Sequence, residues 1–220
     1  MSCMIFRVAC PKVKPEDTMK ENRSPLAPTL WRTFRVIASE KRLRCLKVVL
    51  KTPDCSVEQV AQAVGVSEVQ ASLALRALQA RGLIASKRQS RWVLYAPDPD
   101  VSVVAAQAFL SAMKAALLDS RIEASRIVKA ATAYTHPRRI DIVRAIAQAD
   151  EVDPLGLSVQ LGFSPAATFR HLAILKARGV VVGIDGKYVL AKPRTWLGAE
   201  LLSIVLGINE AVKGDEGEWR

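Results

Sequence analysis

Lys87, Arg88 and Arg91 place three cations within five positions, directly beside Trp92. Clustered ammonium and guanidinium groups of this kind neutralise phosphates, and the release of condensed counterions makes such contacts strongly salt-dependent. Other chemistry finds little footing. The chain has no glycine-rich phosphate loop, no nucleophile elbow and no His or carboxylate set that two small domains would bring together, so it does not read as an enzyme. Cys3, Cys10, Cys45 and Cys55 form no close C-x-x-C pair, which argues against a disulfide framework or a zinc site. Cys45 falls in an apolar helical stripe and reads as core. Cys55 has no neighbouring second thiol, so neither metal nor thiol sensing is expected. His136 before Pro137 reads as a helix-start residue, and no cofactor is implied.

Half of the 220 residues are hydrophobic, enough to bury two modest cores, and the formal charge of +11 draws the chain toward polyanions such as DNA, RNA or acidic membrane surfaces. No apolar run is long enough to cross a bilayer. The best candidate, from Trp196 to Ile208, is short and carries Glu200. Met1 to Cys10 lacks the pattern of a secretory signal, and a cytoplasmic location is expected. Residues 1–28, with Pro11, Pro15, Pro25 and Pro28 among scattered charges, read as a flexible leader.

The elements that must present the cations are written twice. Gly65 and Gly162, Ser67 and Ser164, Leu75 and Leu172, Leu78 and Leu175, and Ala80-Arg81-Gly82 and Ala177-Arg178-Gly179 are all 97 residues apart. Each copy must therefore be read as one module. In the first, Leu43, Leu46, Val49 and Leu50 recur at helical spacing until Pro53 stops the helix. Ser56 with Gln59 predicts a capping box for a helix that buries Val57, Val60, Ala61 and Val64, and Gly65 ends it. Ser67 with Gln70 caps a third helix over 68–81, closed by Gly82. Two short strands, 83–86 and 92–95, around the basic turn make a hairpin wing in which Trp92 reads as core.

The second copy uses different residues for the same boundaries. Ile140, Val143 and Ile146 form the first stripe; Asp153 with Pro154 and Ser164 with Pro165 start the next two helices. Val180 to Val182, a tight turn at 183–186 and Tyr188 to Leu190 make a second, barely basic wing, with Tyr188 again read as core.

From Glu40 to Tyr95, and again from His136 to Leu190, these runs resemble the winged-helix domain of ArsR-type bacterial transcriptional regulators. The resemblance covers about half of the chain. It implies a double-stranded-DNA-binding regulator, in the first instance a repressor, that reads the major groove with its third core helix and touches the backbone with its wing. In the second copy Phe169 to Leu172, "FRHL", is similar to the family's recognition-helix ending, which implies that Arg170 and His171 face DNA, with Ser164, Ala166 and Ala167 toward the groove. The matching first-copy stretch, Ser72 to Leu75, keeps only the core leucine; Gln70, Ser72 and Arg76 are what that helix offers. The first copy owns the basic wing of Lys87, Arg88 and Arg91, whereas the second has Lys187 alone. One module is thus suited to phosphate, the other to bases.

Beyond each wing a helical seam is expected: Val103, Ala106, Leu110, Met113 and Leu117 after Asp98 and Asp100 as N-caps, then Leu197, Leu201, Ile204 and Ile208. In ArsR-like proteins the helix after the wing makes the dimer interface, so the resemblance implies a dimer fused into one chain, or a homodimer with four wings. The expected fold is mainly α with small β-wings: two tandem winged helix-turn-helix domains with flanking dimerisation-type helices. The boundaries are a leader over 1–28, a first domain over 29–118 and a second over 119–220. A competing reading is a tandem winged-helix scaffold that binds protein rather than DNA, favoured by Phe169 and by the eroded first recognition helix.

Overall fold

The computed structural model describes residues 29–207, so the leader, Cys3, Cys10 and Ile208 lie outside the described residues. The chain is mainly helical and carries two small antiparallel sheets of three strands. A leading helix α1 (Leu30–Ile37) precedes α2 (Glu40–Lys51), β1 (Cys55–Ser56), α3 (Val57–Val64), α4 (Glu68–Gln79), β2 (Ala85–Gln89) and β3 (Trp92–Ala96), and α5 (Ala106–Leu118) follows them. The same order then recurs: α6 (Ala124–Ala131) with a 3-10 turn at Thr132–Tyr134, α7 (Pro137–Ala149), β4 (Glu151–Val152), α8 (Pro154–Leu161), α9 (Pro165–Ala177), β5 (Val181–Ile184), β6 (Lys187–Leu190) and α10 (Trp196–Leu206). The repeat is therefore longer than the sequence runs that announce it, because a helix stands before each copy.

The boundary chemistry read from the sequence is in place. Ser56 and Gln59 form both halves of the capping box, and Ser67, Asp153 and Ser164 each accept a backbone N–H in the first turn of the helix they start. Gly65 and Gly162 end α3 and α8 with φ of 72° and 65°, a left-handed conformation that glycine takes without strain. The second hairpin turns through Asp185 and Gly186, both at positive φ, as a two-residue turn of the mirror-image type demands.

Two features differ from expectation. Each hairpin gains a third strand: Cys55 pairs with Tyr95, and Glu151 pairs with Val189. Two residues are too few to show a strand alternation, so β1 and β4 leave no periodic signal. The helix after the first hairpin begins at Ala106 rather than at Asp98 or Asp100; the Asp100 carboxylate instead accepts from the Ser102 N–H and hydroxyl, closing a local turn, and Val103 is buried ahead of the helix.

Within each repeat, arginines close helix ends in a way no spacing announces. Arg42 Nε donates to the Val36 carbonyl at 2.7 Å and its terminal nitrogen to Arg35 at 2.8 Å, closing the C-terminal end of α1. Arg139, in register with Arg42, is buried and donates to the Ala133 and Thr132 carbonyls and the Thr135 hydroxyl at 2.6, 3.0 and 2.7 Å. Arg44 reaches the last carbonyl of α3 at Val64, and Arg144 reaches Val205 near the end of α10. Cations satisfy orphan carbonyls and the negative end of the helix dipole there. Four of the basic residues are thus engaged internally.

One continuous apolar interior runs through both copies. At their junction Phe34 of α1 meets Phe109 of α5 edge-on, with ring centroids 4.8 Å apart, and Tyr134 lies against the same Phe34 ring at 4.8 Å. The flanking helices α5 and α10 pack on each other, with Leu110, Met113, Leu117, Leu197, Leu201 and Ile204 buried. No described helix is long and apolar enough to cross a membrane.

Candidate nucleic-acid interface

On α9, Thr168, His171, Leu172 and Leu175 fall on one buried stripe, and Ala166, Phe169 and Arg170 lie on the opposite, exposed one. Helical geometry enforces this split: residue 171 is three after Thr168 and four before Leu175, so it shares their inner face. His171 is 8% exposed, which corrects the expectation that it faces DNA. Ala167, 3% exposed, is likewise buried beneath the helix start and offers nothing to a groove. The signal for both was present in the leucine spacing; the two-residue motif concealed it.

The His171 ring lies against His136, centroids 4.6 Å apart. His136 is the N-cap of α7, as its position before Pro137 predicts, and its Nδ1 accepts from the Arg138 N–H at 3.2 Å. His171 Nδ1 is buried with no hydrogen-bond partner among the described residues. Burial, reinforced by His136, Arg139, Arg138 and Arg170, pushes the His171 pKa down to about 4. At neutral pH it is an uncharged packing residue. Arg138 stands 4.9 Å over the Phe163 ring, bracing the turn that enters α9.

Arg170 and Phe169, the latter 46% exposed, point outward with Ala166, and Ser164 is exposed at the cap. On α8, Leu155 and Val159 are also exposed. An outward Arg matches the paired acceptors of guanine, and Ala or Phe side chains match the methyl group of thymine. The exposed face carries no carboxylate between Ser164 and Arg170.

The corresponding face of α4 is different. Val69 and Leu73 are 69% and 58% exposed, with Gln70 and Arg76 beside them, and Arg76 donates to Ser72 Oγ at 3.1 Å. Glu58 and Glu68 line the shallow concavity between α3 and α4. Carboxylates suit helix N-termini, but at these ends they oppose a phosphate. Leu73 is in register with Arg170, so the position that carries a cation in one copy is apolar in the other.

The hairpin cations divide. Lys87 pairs with Asp54 at 2.8 Å, and Lys187 pairs with Glu151. Both ammonium groups are engaged with neighbouring carboxylates, which a phosphate would have to displace; such exposed pairs are weak and screened by salt. Arg88 is exposed and makes no ion pair among the described residues, and Arg91 lies 5.1 Å over the Trp92 ring at the tip. Trp92 itself is exposed rather than core, and Tyr188 is only half-buried. In a narrow hairpin the outer face has nothing to pack on.

Cys45 and Cys55 are buried, and burial raises both thiol pKa values; the Cys55 thiol points to the Tyr95 carbonyl at 3.9 Å. Among the described residues no three His, Cys, Asp or Glu side chains are grouped as metal ligands would be. Comparison with family models, curated proteins and solved structures finds no match to this chain.

Proposed function

We propose that each repeat is a winged helix-turn-helix and that the chain is a cytoplasmic, double-stranded-DNA-binding repressor of the ArsR type, its two modules forming a pseudo-dimer within one polypeptide. The second module reads bases and the first grips the backbone. The observation that carries this is the stripe of Ala166, Phe169 and Arg170 on α9, a helix entered through a glycine turn and facing solvent without a carboxylate. Ser164 adds a hydroxyl at the helix start. Arg88 and Arg91 at the first hairpin tip supply phosphate contacts. The non-DNA reading, a scaffold for another protein, draws on Val69, Leu73 and Val159, which leave apolar surface around both helical turns.

A salt titration separates the two. Binding to duplex DNA should weaken steeply with log salt; Arg88→Ala should weaken all sequences about equally and lower the slope by about one, whereas Arg170→Ala should cost about 1–3 kcal/mol and relax base preference. Deoxyuridine in place of a contacted thymine should weaken binding through the lost methyl group. No duplex binding at low salt would reject the regulator in favour of the scaffold.

A further inference from the structure

Where the second unit meets the helix that precedes it, a concave pocket of about 410 Å³ is lined by Lys129, Lys176, Arg178 and Arg194, with Ala130, Val180 and Pro193 as its partly exposed apolar lining. No Asp or Glu lines it, and none of the four cations makes an ion pair among the described residues. They come from separate elements: Lys129 from α6, Lys176 from the end of α9, Arg178 from the turn that follows, and Arg194 from the linker into α10. All four are exposed, the Lys176 ammonium lying beside Gly183, and no carboxylate offsets the positive field at this surface. The start of α10 also borders the space, where the Thr195 hydroxyl oxygen accepts from Gly198 N–H at 3.1 Å and the positive end of the helix dipole adds to the field.

We infer that this pocket binds a small organic anion carrying at least two negative charges, a phosphomonoester or a dicarboxylate, with an apolar body seated against Ala130, Val180 and Pro193. Two guanidinium groups match the oxygen pairs of phosphate or carboxylate, and Lys129 adds a further positive charge. The volume lies within the range of small-molecule sites, and apolar lining with a few polar groups is their usual make-up. A mono-anion would leave most of the charge uncompensated; an inorganic ion would leave the apolar lining uncovered. Because Lys176 and Arg178 lie at the C-terminal end of α9, an occupant would tie that helix to α6 and α10. An effect of the occupant on DNA affinity therefore rests on the function proposed above. Its binding does not.

Calorimetry on the full chain, with phenyl phosphate, phthalate, inorganic phosphate and benzyl alcohol as probes, tests the site without DNA. One equivalent of phenyl phosphate or phthalate should bind, on the order of tenfold more tightly than inorganic phosphate, with benzyl alcohol silent. The stronger of the two organic probes identifies the anion. R178Q and R194Q should each weaken binding about tenfold while K114Q, on the exposed side of α5, leaves it unchanged. In the unaltered chain, the amide signals of Gly179 and Gly198 should shift on titration, which locates the site even if a variant fails to fold. No saturable binding of either organic dianion, equal binding of benzyl alcohol, or shifts confined to the hairpin tips would overturn the proposal. So would displacement of the probe by duplex DNA at equal phosphate concentration, which would assign these cations to a nucleic-acid backbone.

Discussion

Acidification should destabilise this protein through His171. In the folded chain the ring releases its proton near pH 4, against an ordinary value of 6.5, because the charged form would sit buried against His136 with Arg138, Arg139 and Arg170 close by. As pH falls the unfolded chain takes up this proton first. The stability contributed by the neutral ring is therefore complete above about pH 6.5 and drains away as pH falls toward 4. Each unit of pKa difference is worth about 1.4 kcal/mol, so the part lost between pH 7.5 and 4.5 is about 2.5 kcal/mol. The ring lies close to the protein surface, so solvent screening makes this an upper figure. Urea unfolding of the parent and His171→Leu at the two pH values isolates the effect, since the carboxylates titrate in both. The parent should lose up to about 2.5 kcal/mol more than the variant. The chain has only two histidines, so NMR titration can follow each directly. A His171 that titrates at 6.5 or above, or a variant with the same acid sensitivity as the parent, would refute the reasoning.

Three other outcomes follow from the packing. Arg139→Met should destabilise the chain by about 2–4 kcal/mol, measured by denaturant midpoint, because Thr132, Ala133 and Thr135 lose their charged donor; an unchanged midpoint would deny the arginine its capping role. Phe109→Ala should cost about 3–5 kcal/mol, since the ring is fully buried against Phe34 at the junction of the repeats, and a cost below about 1 kcal/mol would show that the junction does not support the fold. Gly82→Ala should lower the thermal midpoint by an amount equivalent to about 1–3 kcal/mol: Gly82 has φ of 65°, and a Cβ there would stand 2.9 Å from a Val103 methyl. A neutral substitution would mean that the loop carrying Val103 yields freely.

The helices of both copies could be read from caps and periods because their signals are local. Ser56 with Gln59, Asp153 with Pro154 and the leucine stripes each act within a turn or two of themselves. The partners of the arginines could not be read so, because Arg144 meets Val205 across 61 positions and only the folded chain brings them together. The same holds for the paired strands β1 and β4, and for the pocket, whose cations come from four separate places. His171 failed for another reason. The short FRHL motif suggests a DNA-facing residue, whereas the spacing of Thr168, Leu172 and Leu175 puts position 171 inside, and helical phase rather than residue type fixes which side a residue faces. Lys87 and Lys187 were legible as cations, but the carboxylates that engage them lie 33 and 36 positions away.

The α5 against α10 contact, with Phe34 and Phe109 beside it, lies inside a single polypeptide. Two DNA readers of the kind proposed, joined in this manner, could not separate on dilution, so their relative placement would not depend on how much protein a cell holds. Nor would they be bound by the symmetry that makes identical subunits demand palindromic targets. Leu73 in the register position of Arg170 is a divergence that two copies of one gene product could never display, and for the proposed regulator an asymmetric target would be its counterpart.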